Sequence, residues 1–190
     1  AAGPVFSNEF DVSGAEVELV TDPAELDPDR YNTAYVDTQR SFEGVSYHTC
    51  IRLLCVGPRL IHAWVRARDA AEGSPSVHNK DTPLNPALLE YLHAELVTPN
   101  MDRFADLAQT VSTAIGPAFL AHDVLVERDT NALFLCETGF QFNDGTYYSR
   151  FLPQKDRLPS LELFFSDDLY RHSARALVAL CEEKGVYPLR

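Results

Sequence analysis

The chain has 190 residues, 45% of them apolar, and a formal net charge of −12 at pH 7, with an isoelectric point near 4.8. This length suits one ordinary domain or two small ones. The acidity excludes a sequence-independent nucleic-acid binder, which needs a basic face, but leaves room for a local basic pocket that takes phosphate. No apolar run approaches the ~20 residues of a membrane helix, and the N-terminus lacks the basic region and apolar stretch of a signal peptide. Neither nucleic acid nor membrane is therefore expected as a partner. Cys50, Cys55, Cys136 and Cys181 form no CxxC pair and lie among apolar residues. They read as reduced core cysteines of a cytoplasmic protein rather than disulfides or zinc ligands.

In chain order, Pro4–Phe6 is a short strand candidate, and Glu16–Val20 alternates with period two as a second. Thr21–Leu26 opens like a short helix, with Thr21 or Asp22 capping and Pro23 in the first turn. Tyr31–Gln39 is rich in Tyr, Thr and Val and reads as a strand. Two long strands follow, Tyr47–Val56 and Arg59–Arg68, joined at Gly57-Pro58. Arg52 and Arg66 lie within this pair. Each is either a solvated or salt-bridged strand residue or a phosphate contact, for which a guanidinium is suited by its fixed donors and permanent charge.

Residues 69–83 form a polar loop without periodicity, carrying His78, Asn79, Lys80 and Asp81. A loop of that length is functional or poorly ordered, and this one could present donors to an anionic ligand. Asn85-Pro86 starts a helix with apolar residues at 88, 89, 92 and 96, broken at Pro99-Asn100. A second helix spans Met101–Ile115, with Phe104, Leu107, Val111 and Ile115 at helical spacing. A helix over Ser166–Lys184 carries an apolar stripe of Leu169, Ala174, Leu177, Val178 and Cys181.

The chain is organised around a hairpin between these last helices. Phe119–Val126 and Leu133–Cys136 are apolar runs flanking Arg128-Asp129-Thr130-Asn131, a turn cluster. Asp123 and Glu137 then lie near one end of the hairpin. Two close carboxylates repel unless a cation sits between them, and Mg²⁺ takes oxygen ligands that it often shares with nucleotide phosphates. The loop from Thr138 to Tyr148 holds aromatics that read as packing residues. His122 next to Asp123 points to the opposite face of its strand and reads as structural. Walker A, GxGxxG, GxSxG and HExxH patterns do not occur.

Three stretches resemble the ATP-grasp superfamily, in particular its RimK- and glutathione-synthetase-like carboxylate–amine ligases. Gly3–Phe6 with Gly14–Leu26 looks like the family's strand, phosphate loop and following strand. Arg52, Gly57 and Arg66 resemble its paired-strand arginine pattern, and Asp123 with Glu137 is similar to its metal carboxylates. The resemblance implies an α+β fold, an antiparallel β-sheet covered by helices, lacking the usual N-terminal α/β domain. Residues 1–40 would be a partial nucleotide-binding subdomain and 41–190 the C-terminal subdomain.

The resemblance also implies ATP and Mg²⁺ as cofactors, and small-molecule carboxylate and amine substrates joined through an acyl phosphate. Asp123 and Glu137 would hold the metal, and Arg52 and Arg66 would be catalytic. Asp37, Asn79 and Lys80 would contact the nucleotide, Asp37 through the ribose. The family's lysine before Pro4 is Gly3 here, and its asparagine two residues after Glu137 is Gly139. Asn143 or Asp144 could replace the lost ligand. A partner chain supplying the missing N-terminal half belongs to this expectation. Two alternatives stay open: a non-catalytic binding or scaffold protein on a degenerate ATP-grasp fold, and an unrelated α+β domain whose acidic pair forms a salt bridge with Arg52 or Arg66.

Overall fold

The computed structural model describes residues 5–8, 18–140 and 144–185. It is an α+β structure with two antiparallel sheets. The smaller has the order β2 (Glu18–Val20), β1 (Val5–Asn8), β3 (Tyr31–Ala34). Val5 pairs with Val20 on one side and Ala34 on the other. The expected strand over Tyr31–Gln39 stops at Ala34. Beyond it the side chains bond locally: the Asp37 carboxylate accepts from the backbone N–H of Gln39, as Asp does in turns that compete with a ladder. Gly3 and Gly14–Val17 lie outside the described residues.

The larger sheet is built on β5 (Val45–Val56), which pairs along its length with β6 (Arg59–Asp69) and over Ile51–Val56 with β7 (Phe119–Val126). β4 (Arg40–Phe42) pairs with the start of β5, and β8 (Leu133–Gly139) pairs with β7. Gly57 makes the β5–β6 turn at φ 56°, a left-handed conformation that glycine adopts without a Cβ clash. Asn131 takes φ 57° in the β7–β8 turn, as its short polar side chain permits.

Residues paired across an antiparallel ladder share a face. One face therefore carries Cys50, Arg52 and Leu54 beside Arg66, Trp64 and His62, with Asp123 across from Arg52. The other carries Ile51, Leu53, Ala63, Val65 and Val124, all buried.

Helix α1 (Pro86–Leu92) starts on an Asn85 cap whose side chain accepts from the Leu88 N–H, and it runs into a π turn at His93–Val97. α2 (Met101–Ile115) follows and ends at Gly116 with φ 91°. Leu88, Leu89, Leu92, Leu96, Phe104 and Val111 are buried as their spacing requires, whereas Ile115 at the last position of α2 is exposed. α3 (Gly145–Phe151) replaces part of the expected aromatic loop: Tyr147 and Phe151, one turn apart, are buried and pack on each other, and Tyr147 also packs on Trp64 and Phe164. α4 (Asp167–Glu183) is capped by Ser166, whose side chain accepts from the Asp168 N–H. Its buried residues are Leu169, Ala176 and Leu180; of the expected stripe only Leu169 is buried, Cys181 is half-buried, and Ala174, Leu177 and Val178 are exposed. Leu180 fills the space beside Gly57. Among the described residues no helix is long and apolar enough to cross a membrane.

Candidate functional site

Arg52 on β5, Arg66 on β6 and Asp123 on β7 converge because their strands are neighbours and their registers place all three on one face. The Arg52 Nε–H donates to Asp123 Oδ1 at 2.8 Å and its Nη2–H donates to Oδ2 at 2.8 Å. This is the two-pronged geometry in which a guanidinium binds a carboxylate best. Arg66 Nη2 lies 2.8 Å from the same Oδ2 and also donates to Cys50 Sγ at 3.0 Å. The Arg66 side chain is only 4% exposed. Both arginines are thus salt-bridged, Arg66 buried and Arg52 partly exposed.

Burial alone would raise the Asp123 carboxyl. The hydrogen bond from Arg52 and the charges of Arg66 and Arg52 overcome it and hold the group below its ordinary value. Burial pushes the Cys50 thiol up to about 12 despite Arg66, so this sulfur is a neutral hydrogen-bond acceptor and not a nucleophile.

A second carboxylate stands beside the first. Asp144, the residue before α3, is buried; its Oδ1 lies 3.5 Å from Arg52 Nη1 and accepts from Asn79 Nδ2 at 3.2 Å. Its Oδ2 is buried without a hydrogen-bond partner among the described residues. Burial raises this carboxyl above its ordinary value, with Arg52 and Asn79 only partly opposing.

Asn79 is delivered by a loop that is firmly docked. Arg150 on α3 donates to the carbonyls of Asn79 at 2.7 Å, Lys80 and Thr82 at 2.8 Å. The 69–83 segment is therefore a clasped strap rather than an open loop, anchored also by Arg68 on the Ser76 carbonyl and by Asp81 accepting from the His78 N–H. The Lys80 residue is exposed on it.

Glu137 is the cross-strand partner of Asp123, so the two carboxylates do share a face, and Glu137 is exposed. A ladder irregularity between Asp123 and Val124 follows, at which Cys136 is passed over. His122, on the reverse face, is buried and hydrogen-bonds Thr138 Oγ1 through Nδ1 at 3.0 Å. Burial lowers its basicity, which fits a structural role.

Asp37 is not brought to this cluster by any of its bonds. It pairs with Arg128 at 2.9 Å, tying the segment after β3 to the β7–β8 turn. All four cysteines are free, but Cys136 is exposed and Cys181 half-buried, so only Cys50 and Cys55 are core residues.

Mg²⁺ is usually held by one or two carboxylates together with substrate phosphates and needs no closed protein cage. Glu137, exposed across from Asp123, and the unpartnered Asp144 Oδ2 are the donors of that type on hand. Asp123 does not in this conformation, because both its oxygens are taken by guanidiniums. No group of three His, Cys, Asp or Glu residues that could hold a metal occurs among the described residues.

Sequence reasoning missed Arg150 and named Asp144 only as a substitute ligand. The available signal was Tyr147 and Phe151 at i, i+4, which defines a helix face and would have placed Asp144 at its start and Arg150 on its last turn. No protein-family model matches the chain, and no curated protein matches it in sequence.

Proposed function

We propose that this chain handles the phosphoryl group in an ATP- and Mg²⁺-dependent carboxylate–amine ligase of the ATP-grasp type. The observation that carries the reading is the meeting of Arg52 and Arg66 on one carboxylate, beside Asp144 and in register with Glu137. Two permanent cations on adjacent strands, one of them nearly inaccessible, form a preorganised dipole array of the kind that stabilises charge on a transferring phosphoryl group. Arg52 and Arg66 would bind and orient the phosphoryl oxygens. The clasped strap would exclude water and present Asn79, with Lys80 at the rim. Glu137 and Asp144 would hold Mg²⁺, which supplies neutralisation of phosphate charge when bound. Asp37 remains the residue proposed for the ribose, on the resemblance alone.

The test is calorimetric titration of the chain with ATP in the presence and absence of Mg²⁺, repeated on Glu137→Ala. Binding that requires Mg²⁺ and is lost in the variant is the expected result. Absence of binding in the unaltered chain would sink the reading for this chain by itself.

One observation favours a second reading. Asp123 is fully satisfied by its two arginines, as in a structural ion-pair network. On that view the chain is a non-catalytic binding or scaffold protein, and ATP hydrolysis that depends on Glu137 would exclude it.

A further inference from the structure

Helix α4 has two apolar sides. Ala176 and Leu180 pack with Val56 and the partly buried Ile61, and Leu169 joins the main core. Roughly a third of a turn round the helix from these residues, Tyr170 and Leu177 are exposed by 70% and 46%, Ala174 is exposed and Cys181 half-buried; Val178, exposed by 47%, lies farther round. This side has an order. Asp167, Tyr170, Ala174, Leu177, Cys181 and Lys184 follow one another at alternating spacings of three and four, the spacing of the seam positions in paired helices. The apolar members lie in the middle and an opposite charge stands at each end, both exposed.

We propose that this seam is a homodimer interface, with α4 lying antiparallel to α4 of a second copy of the chain. The end charges select both occupant and direction. In an antiparallel pair Asp167 faces Lys184 of the second copy, Tyr170 faces Cys181, Ala174 faces Leu177, and the same three layers repeat in reverse. Every layer is then apolar on apolar or acid on base. A parallel pair would set Asp167 on Asp167 and Lys184 on Lys184, which repel. The seam is self-complementary, as a two-fold interface must be. Small Ala174 opposite Leu177 lets the helix axes approach. The net charge of −12 on each chain opposes association in general, but it is screened beyond about 8 Å at physiological salt, whereas the end pairs are in contact.

The test is sedimentation equilibrium of the full chain over a concentration series, with circular dichroism melts to show that each variant is folded. The expected species is a reversible dimer of twice the 21.2 kDa chain mass. Leu177→Glu gives a monomer. Asp167→Lys and Lys184→Asp, each placing like charges at both ends of the seam, weaken the dimer at least about tenfold. Combining the two swaps restores it, because the opposite pairs are re-formed with their signs exchanged. A monomer at every concentration overturns the proposal. So does a dimer that Leu177→Glu leaves intact, or a double swap no tighter than the single ones.

Discussion

The same face of the larger sheet is built in two ways. Toward one end Arg52, Arg66 and Asp123 form a buried charged knot. Two residues along β6, Trp64 and His62 lie in an aromatic cluster with Phe164, the ring centroids 5.0 Å apart for Trp64 and 6.2 Å for His62. Tyr147 joins the halves: its ring packs on Phe164 and its hydroxyl donates to the Val65 carbonyl at 3.0 Å. The aromatic half is stabilised by area and packing, which tolerate no cavity but are indifferent to charge. The charged half is stabilised only while its charges balance. A structural sheet needs just the first kind of interior; the second, costly to desolvate, is where function is to be sought.

Removing the largest ring tests the aromatic half. Trp64 is fully buried, so Trp64→Ala is expected to cost about 3–5 kcal/mol, read from urea midpoints. Removing the central carboxylate tests the charged half. Asp123→Ala leaves Arg66 buried without its carboxylate and is expected to cost about 3–5 kcal/mol as well. The two losses differ in kind. Added inorganic phosphate should recover part of the Asp123→Ala loss, by occupying the vacated anion position, and none of the Trp64→Ala loss. Equal indifference of both variants to phosphate would remove the argument that the arginines can receive an external anion.

The two halves were unequally legible in the sequence. The hairpins were readable because long apolar strands flank Gly57-Pro58 and the Arg128–Asn131 turn, and turn length fixes the register from Val126–Leu133 to Val124–Leu135; the bulge that passes over Cys136 and so pairs Asp123 with Glu137 carries no such signal. The ion pair was read only as one open alternative, because Arg52 and Asp123 are 71 positions apart and only sheet order brings them together. α3 was hidden by Gly145 and by its seven-residue length; a helix that short is held by tertiary packing rather than propensity. α4 was found, but of its expected stripe only Leu169 meets the core. Apolar residues occupy both of its sides, and periodicity alone does not say which one meets the sheet.

Acid should separate the halves again. His62 is buried and its basicity is lowered, by burial first and then by His93, to about 4. Between the ordinary 6.5 and 4 the unfolded chain therefore binds the proton that the folded chain refuses. Stability contributed by neutral His62 is complete above pH 6.5 and is lost as pH falls to 4, by about 3 kcal/mol at most. His62→Phe should flatten the midpoint-versus-pH curve in that window. Asp123, held below its ordinary 3.8, acts only at lower pH: its contribution is present above 3.8 and is lost as pH falls below that value. A curve with no slope between 6.5 and 4 would show that His62 does not titrate as its burial demands.

The smallest effect belongs to Asp144. Its carboxyl is raised, chiefly by burial, so the folded state is penalised for ionising it as pH rises past the ordinary 3.8. Asp144→Asn keeps an oxygen to accept from Asn79 and removes that penalty, while Arg52 retains both bonds to Asp123. The variant is expected to match the unaltered chain at pH 3 and to be more stable at pH 7. The difference of urea midpoints between the two pH values is the measurement. If the variant is instead less stable at pH 7, the 3.5 Å approach to Arg52 is a net attraction. The charged half of the sheet would then count Asp144 as a full member rather than a strained neighbour.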